Sequence, residues 1–177
     1  WSSDVCSSDL FATMVDIIIE HRGIVDKYIG DAIMAFFGAP VRHDDDVEHA
    51  VRSGLDMLDA LVSFNERQTA AGRTTFRMGI GINYGLVTVG NIGSERKMDY
   101  TVIGDMVNVA SRLEGLTKVY GEPLIVSETV YELVRELLPC RLLDAVMAKG
   151  MNKPVKVYAV RRTLSEAERS AWAEHAE

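Results

Sequence analysis

A handful of polar side chains in this sequence stand where packing alone is an incomplete reason for them. Lys27 and Asp31 lie on either side of a Gly30-Asp31 turn between two β-prone runs. The stretch from Arg96 to Arg112 contains Thr101, Asn108 and Arg112, and Lys149 stands in a Lys-Gly turn. Asn108 and Arg112 are four apart on a predicted helix, so they share a face, displaced by roughly a quarter-turn from the apolar line Val109, Leu113, Leu116. That face points somewhere other than the core. Ammonium and guanidinium groups hold anions and a carboxylate holds a hard cation, so chemistry on a charged substrate is open to this set. Each residue alone has a plainer reading: Lys27 as a solvated strand residue, Asp31 as a turn former, Arg112 as the partner of a nearby Glu, Lys149 as a turn residue. Their joint occurrence is what asks for more.

Other groupings have sufficient structural explanations. Asp44, Asp45 and Asp46 could pass for a metal cluster, but acids in the first turn of a helix answer its unpaired N–H groups and its dipole. Gly79, Gly81 and Gly85 lack the spacing of a dinucleotide fingerprint and no helix opens after them; they read as turn and close-packing glycines. Cys6 and Cys140 have neither a partner framework nor zinc-ligand spacing.

The elements that position the candidates can be read in outline. The chain has 177 residues, enough for one compact domain, with 19 Lys plus Arg against 26 Asp plus Glu and a net charge of −7. This balance disfavours a nucleic-acid partner, no apolar run is long enough to span a bilayer, and no signal peptide is evident, so a cytoplasmic location is expected. Residues 1–10 repeat Ser-Ser-Asp, show no periodicity and read as a non-native tract. Phe11, Met14, Val15 and Ile18 then form a helical face ending near Gly23. A hairpin follows between Gly23 and Gly38, then a long helix with an apolar face of Val47, Ala50, Val51, Leu55, Leu58, Leu61 and Val62. A second hairpin is predicted between Thr75 and Ile92, then a helix from Asp105 to Tyr120, a strand at 123–126, a helix opened by Ser127, and two closing strands near 141–147 and 155–161. Residues 163–177 read as a charged helical tail or linker. The sum is α+β, a mostly antiparallel sheet with helices packed on it.

The segments Val25-Asp-Lys-Tyr-Ile-Gly-Asp31-Ala-Ile-Met-Ala-Phe-Phe-Gly38 and Asp99-Tyr-Thr101-Val-Ile-Gly-Asp-Met-Val-Asn108-Val-Ala-Ser-Arg112-Leu-Glu114 resemble the catalytic domain of class III nucleotidyl cyclases, over about residues 11–162. The resemblance implies a ferredoxin-like domain working as a head-to-tail homodimer, with ATP bound between subunits and converted to 3′,5′-cyclic AMP and pyrophosphate. It implies two Mg²⁺ or Mn²⁺ ions, with Asp31 as one of two aspartate ligands. By the same resemblance Asn108 orients the ribose, Arg112 stabilises charge at the α-phosphate, and Arg96 and Lys149 hold the β- and γ-phosphates. Lys27 and Thr101 would read the base: a lysine donor facing N1 and an acceptor facing the 6-amino group select adenine over guanine. Thr101 stands where family adenylyl cyclases usually have Asp, so discrimination leans on Lys27. The Lys and Thr pairing is similar to the subgroup of bicarbonate-stimulated soluble cyclases.

One departure bears on activity. The family's other metal aspartate sits on a strand before the first helix, and neither Asp4 nor Asp9 has the apolar flanks of a central strand. The expectation is therefore an N-terminally truncated cyclase domain with little turnover of its own, whose complete gene product is active. A catalytically silent cyclase-homology module for dimerisation or nucleotide sensing is the alternative; keeping all six of Lys27, Asp31, Arg96, Asn108, Arg112 and Lys149 favours the enzyme. A diguanylate cyclase lacks support without a GG[DE]EF motif, and a guanylyl cyclase would carry an acid in place of Lys27.

Overall fold

The structure, a computed structural model, describes residues 2–94, 97–147 and 154–173. The chain divides into two compact units, Trp1–Met78 and Gly79–Glu177.

In the first unit, α1 (Ser2–Glu20) leads into β1 (Ile24–Ile29), β2 (Ala32–Phe36) and α2 (Asp46–Ala70). Helix α1 packs on α2 through Met14 and Ile18, which are buried with Val51, Leu55 and Leu61. It runs back through the tract read as aperiodic: once the Phe11 to Ile18 face anchors the helix, adding residues at its N-terminus costs little because nucleation is already met. β1 and β2 form the antiparallel hairpin expected, Ile29 opposite Ala32, with Gly30 at φ +63° in a two-residue turn. α2 starts with Asp46, as the acidic run suggested. The Asp46 carboxylate accepts from the His43 N–H at 2.6 Å, and Asp45 pairs with Arg22. Its buried face includes Ala50, Val51, Leu55, Met57, Leu61 and Phe64; Val62, placed on that face by the sequence pattern, is exposed.

In the second unit come β3 (Ile80–Ile82), β4 (Thr88–Ser94), β5 (Lys97–Ile103), α3 (Asp105–Tyr120), β6 (Leu124–Ser127), α4 (Glu128–Val134), β7 (Cys140–Val146), β8 (Val155–Val160) and α5 (Glu166–Ala173). The sheet order is β3-β6-β8-β7, with β3 parallel to β6 and the other pairs antiparallel. β6 is wholly buried, Leu124 to Val126 having no exposed surface, and Val109, Leu113, Ile125 and Val157 join α3 to the sheet.

The second hairpin differs from the sequence expectation. β3 is three residues long and pairs with β6, while β4 pairs with β5, Thr88 opposite Ile103 and Gly90 opposite Thr101. The reason is close packing: a Cβ on Gly81 would overlap the Glu114 N and the Ala110 carbonyl oxygen of α3, so β3 is held under that helix and not beside β4. The remaining helices and strands fall within a residue or two of their predicted places. No helix among the described residues is long and apolar enough to cross a membrane.

Candidate active site

Two sets of candidate side chains are displayed, one in each unit. In the first unit Lys27 faces Met34 just after a bulge between Val25 and Lys27, the kind of irregularity that re-aims a strand side chain. Its ammonium is half-exposed and lies 3.5 Å from the Asp26 carboxylate, whose side chain is only 2% exposed. Four residues on, Asp31 sits in the hairpin turn and is exposed. A rigid two-residue turn thus presents one hard carboxylate to solvent, with a partly screened cation on the strand behind it.

In the second unit the site is built on α3. Val109 and Leu113 are buried, and Asn108 and Arg112, one residue behind each, are exposed together on the adjoining face. Arg112 makes no ion pair among the described residues, so the reading of it as the partner of a nearby Glu has no support there. Three anchors fix the helix that carries them. At its start the Asn83 amide donates to the Met106 carbonyl at 3.0 Å. Under its middle, Gly81 of β3 brings backbone against Ala110, Leu113 and Glu114, and Gly79, just before that strand, lies against the Thr117 side chain. At its end the Tyr120 hydroxyl donates to Asp144 at 2.6 Å, and Gly121 closes the helix in the left-handed region. The Tyr120 bond holds the Asp144 carboxyl below the usual carboxylate range and pushes the Tyr120 phenol up. Just beyond, Glu122 is clamped by Arg141 at 2.8 Å and Arg161 at 2.6 Å.

Thr101 lies on β5 and is 7% exposed, so its hydroxyl is far less available than the Lys27 ammonium. Arg96 and Lys149 lie outside the described residues. Asn83 is a positioning residue that sequence reasoning missed; its only signal was a carboxamide directly after the apolar Gly79-Ile-Gly-Ile run.

Among the described residues no three His, Cys, Asp or Glu side chains gather to hold a metal. A magnesium-type ion, however, takes one or two carboxylates and completes its octahedron with substrate phosphates and water, and the exposed Asp31 fits that habit. The first unit thus presents a hard anionic donor, and the second, by itself, a guanidinium beside a carboxamide, groups able to hold phosphate oxygens and a hydroxyl.

Residues 7–162 match the family described as the adenylate and guanylate cyclase catalytic domain. An adenylate cyclase of Anabaena cylindrica is 41% identical over 161 residues, covering 87% of this chain and 31% of that protein. The chain spans less than a third of the length of the first curated adenylate cyclases it matches. Among solved structures, the adenylyl cyclase CyaB of P. aeruginosa superposes with a TM-score of 0.81 at 33% identity, covering 92% of this chain and 85% of that one. The guanylyl cyclase Cya2 superposes with a TM-score of 0.75 at 36% identity, covering 89% and 79%.

Proposed function

The chain belongs to the adenylate and guanylate cyclase catalytic domain family, and from that membership we propose that it serves as an adenylate cyclase, forming 3′,5′-cyclic AMP and pyrophosphate from ATP between two head-to-tail copies. The observation that carries the reading is the paired exposure of Asn108 and Arg112 on a helix pinned at both ends and beneath its middle. Such pinning is what positioned electrostatic catalysis needs, because donors that do not move at the moment of reaction cost no reorganisation.

In the reaction the ribose 3′-oxygen attacks the α-phosphorus, the bond from that phosphorus to the bridging oxygen of the β-phosphate breaks, and the 3′-hydroxyl proton is released. Asn108 would hydrogen-bond the ribose and hold its 3′-oxygen in line. Arg112 would donate to the α-phosphate oxygens as their charge rises in the five-coordinate transition state, where its planar fork matches two oxygens at once. Arg96 and Lys149 are proposed to hold the β- and γ-phosphates, and Asp31 to hold the metal. When bound, Mg²⁺ or Mn²⁺ neutralises the triphosphate and favours loss of the hydroxyl proton. Lys27 would donate to adenine N1. Guanine carries an N–H there, which faces the ammonium donor to donor, so ATP is preferred. The burial of Thr101 supports placing most of that choice on Lys27.

The test is turnover of ATP by the purified protein with Mn²⁺, following cyclic AMP and pyrophosphate together. Equal release of both, falling about 10²- to 10³-fold in Arg112→Ala, is the expected result. Unchanged turnover in that variant would remove Arg112 from the mechanism.

A further inference from the structure

Asp26, the residue before Lys27, has no part in the reaction proposed above, yet its side chain is 2% exposed where that of Lys27 is 48% exposed. A carboxylate withdrawn from water is costly unless a cation or hydrogen bonds compensate it, and an apolar side chain like those of Ile24 and Val25 would fill a strand position at less cost. The backbone supplies the reason for the acid. Val25 pairs with Ala35 and Lys27 with Met34, so β1 advances two residues while β2 advances one, and Asp26 is the extra residue of the bulge. Neighbouring side chains of a regular strand point to opposite faces. Here the bulge cancels that alternation, and the Asp26 carboxylate and the Lys27 ammonium meet at 3.5 Å.

Beyond the bulge the alternation resumes. Tyr28 turns toward α1, its ring centroid 5.7 Å from that of Phe11, while Lys27, Ile29 and Met34 share the opposite face. Ile29 is 58% exposed on that face, so the ammonium is open to a ligand while the carboxylate that backs it is not. A lysine reaches its target on four rotatable bonds, and ordering them opposes the hydrogen bond it makes. A pair between two exposed charges does little to hold such a chain, whereas a buried carboxylate is screened less and cannot follow the ammonium about. The ammonium carries three N–H groups, so one turned to Asp26 leaves others for a base.

We propose that Asp26 is a positioning residue for base selection: its buried carboxylate holds the Lys27 ammonium where purine N1 arrives, before any nucleotide binds. The proposal rests on the reading of Lys27 as the donor to adenine N1. Asp26 touches no substrate; it acts through Lys27, by removing part of the ordering that recognition would otherwise require. Its loss therefore shows in the ratio between bases and not in the grip on the triphosphate.

The experiment compares binding of the α,β-methylene analogues of ATP and 1-deaza-ATP to the full-length protein with Mn²⁺; carbon stands in place of the leaving oxygen in both, and C–H replaces N1 in the second. The unaltered protein should prefer the ATP analogue roughly 10- to 100-fold, the range for a hydrogen bond to a charged group. Effects on the triphosphate cancel in this ratio. Asp26→Asn, which keeps the shape and removes the charge, should lower it roughly 5-fold, and should leave it unchanged once Lys27→Met has removed the ammonium. Carbon-13 relaxation at Lys27 Cε in the unaltered, nucleotide-free protein should show a more ordered methylene than that of the exposed Lys118, a readout that needs no variant to fold. Absence of any preference in the unaltered protein would overturn the reading of Lys27 and this proposal with it. A preference that Asp26→Asn leaves intact, or lowers equally in the Lys27→Met background, or a Lys27 methylene as mobile as that of Lys118, would overturn the role of Asp26 alone.

Discussion

Replacing Gly81 by alanine tests whether α3 is positioned by backbone contact. A Cβ at Gly81 would stand 2.9 Å from the Leu113 carbonyl carbon and closer still to the Glu114 N and the Ala110 carbonyl oxygen, against an ordinary contact distance of 3.4 Å or more. All three obstacles are backbone atoms of α3, so no side chain can rotate away; either β3 retreats from the helix or the helix lifts from the sheet. β3 has three residues, paired with the fully buried Leu124, Ile125 and Val126, which leaves it little freedom to move alone. Overpacking of this kind costs typically 1–3 kcal/mol, and the rigidity of both sides argues for about 3 kcal/mol. For a chain of this size that lowers the thermal midpoint by roughly 6–12 °C. Gly115, on the same helix, is the control: a Cβ there meets nothing within 4 Å, so Gly115→Ala should raise stability by about 1 kcal/mol through helix propensity alone. Thermal and urea unfolding followed by circular dichroism would measure both. A Gly81→Ala protein that melts at or above the parent temperature would refute the claim that close backbone contact sets the place of Asn108 and Arg112.

Other predictions concern single groups. Glu122→Gln should destabilise the chain by about 3 kcal/mol in urea unfolding, because Arg141 and Arg161 would then face each other around a neutral amide; no change would mean the two cations reach water unaided. Lys27→Glu should erode the preference for ATP over GTP in competition assays, and an unchanged ratio would show that other groups read the purine. The Asp144 carboxyl is held low by Tyr120, so its contribution is present above the unfolded carboxylate value of 3.8 and is lost as pH falls through the lower folded value. Tyr120→Phe should remove that acid-side loss from a plot of thermal midpoint against pH, and an identical acid limb in both proteins would contradict the assignment. Burial pushes the Cys140 thiol up to about 11, so in a Cys6→Ser background disulfide reagents should react slowly at pH 8 and faster toward pH 11; rapid reaction at pH 8 would deny the burial.

What could be read from the sequence, and what could not, follows from the range of the interactions involved. α3 was legible to its ends because its signals are local: Asp105 in the first turn, Val109 and Leu113 on one face, Gly121 to stop it. The first hairpin was legible because Gly30-Asp31 specifies its own turn. The partner of β3 was not. Alternation from Phe76 to Val89 says only that strands exist, while the choice of β6 over β4 depends on two glycines meeting a helix some thirty residues later. Strand β5 was hidden inside a stretch read for its polar residues. At the candidate site, the shared face of Asn108 and Arg112 was a matter of helical spacing and is found as read, whereas the burial of Thr101 depends on its tertiary surroundings. The meeting of His21 and His49, 28 residues apart, left no local trace at all.

The account rests most heavily on two copies sharing one nucleotide, with Asp31 from one and Arg112 from the other. Asp31→Ala and Arg112→Ala forms of the full-length protein, each inactive alone, should be mixed in equal amounts and assayed for cyclic AMP formation from ATP with Mn²⁺. Half of the reassorted dimers would be mixed and each would hold one intact site of two, so about a quarter of the unaltered rate should return. A mixture as inactive as its components would contradict a site assembled across two subunits.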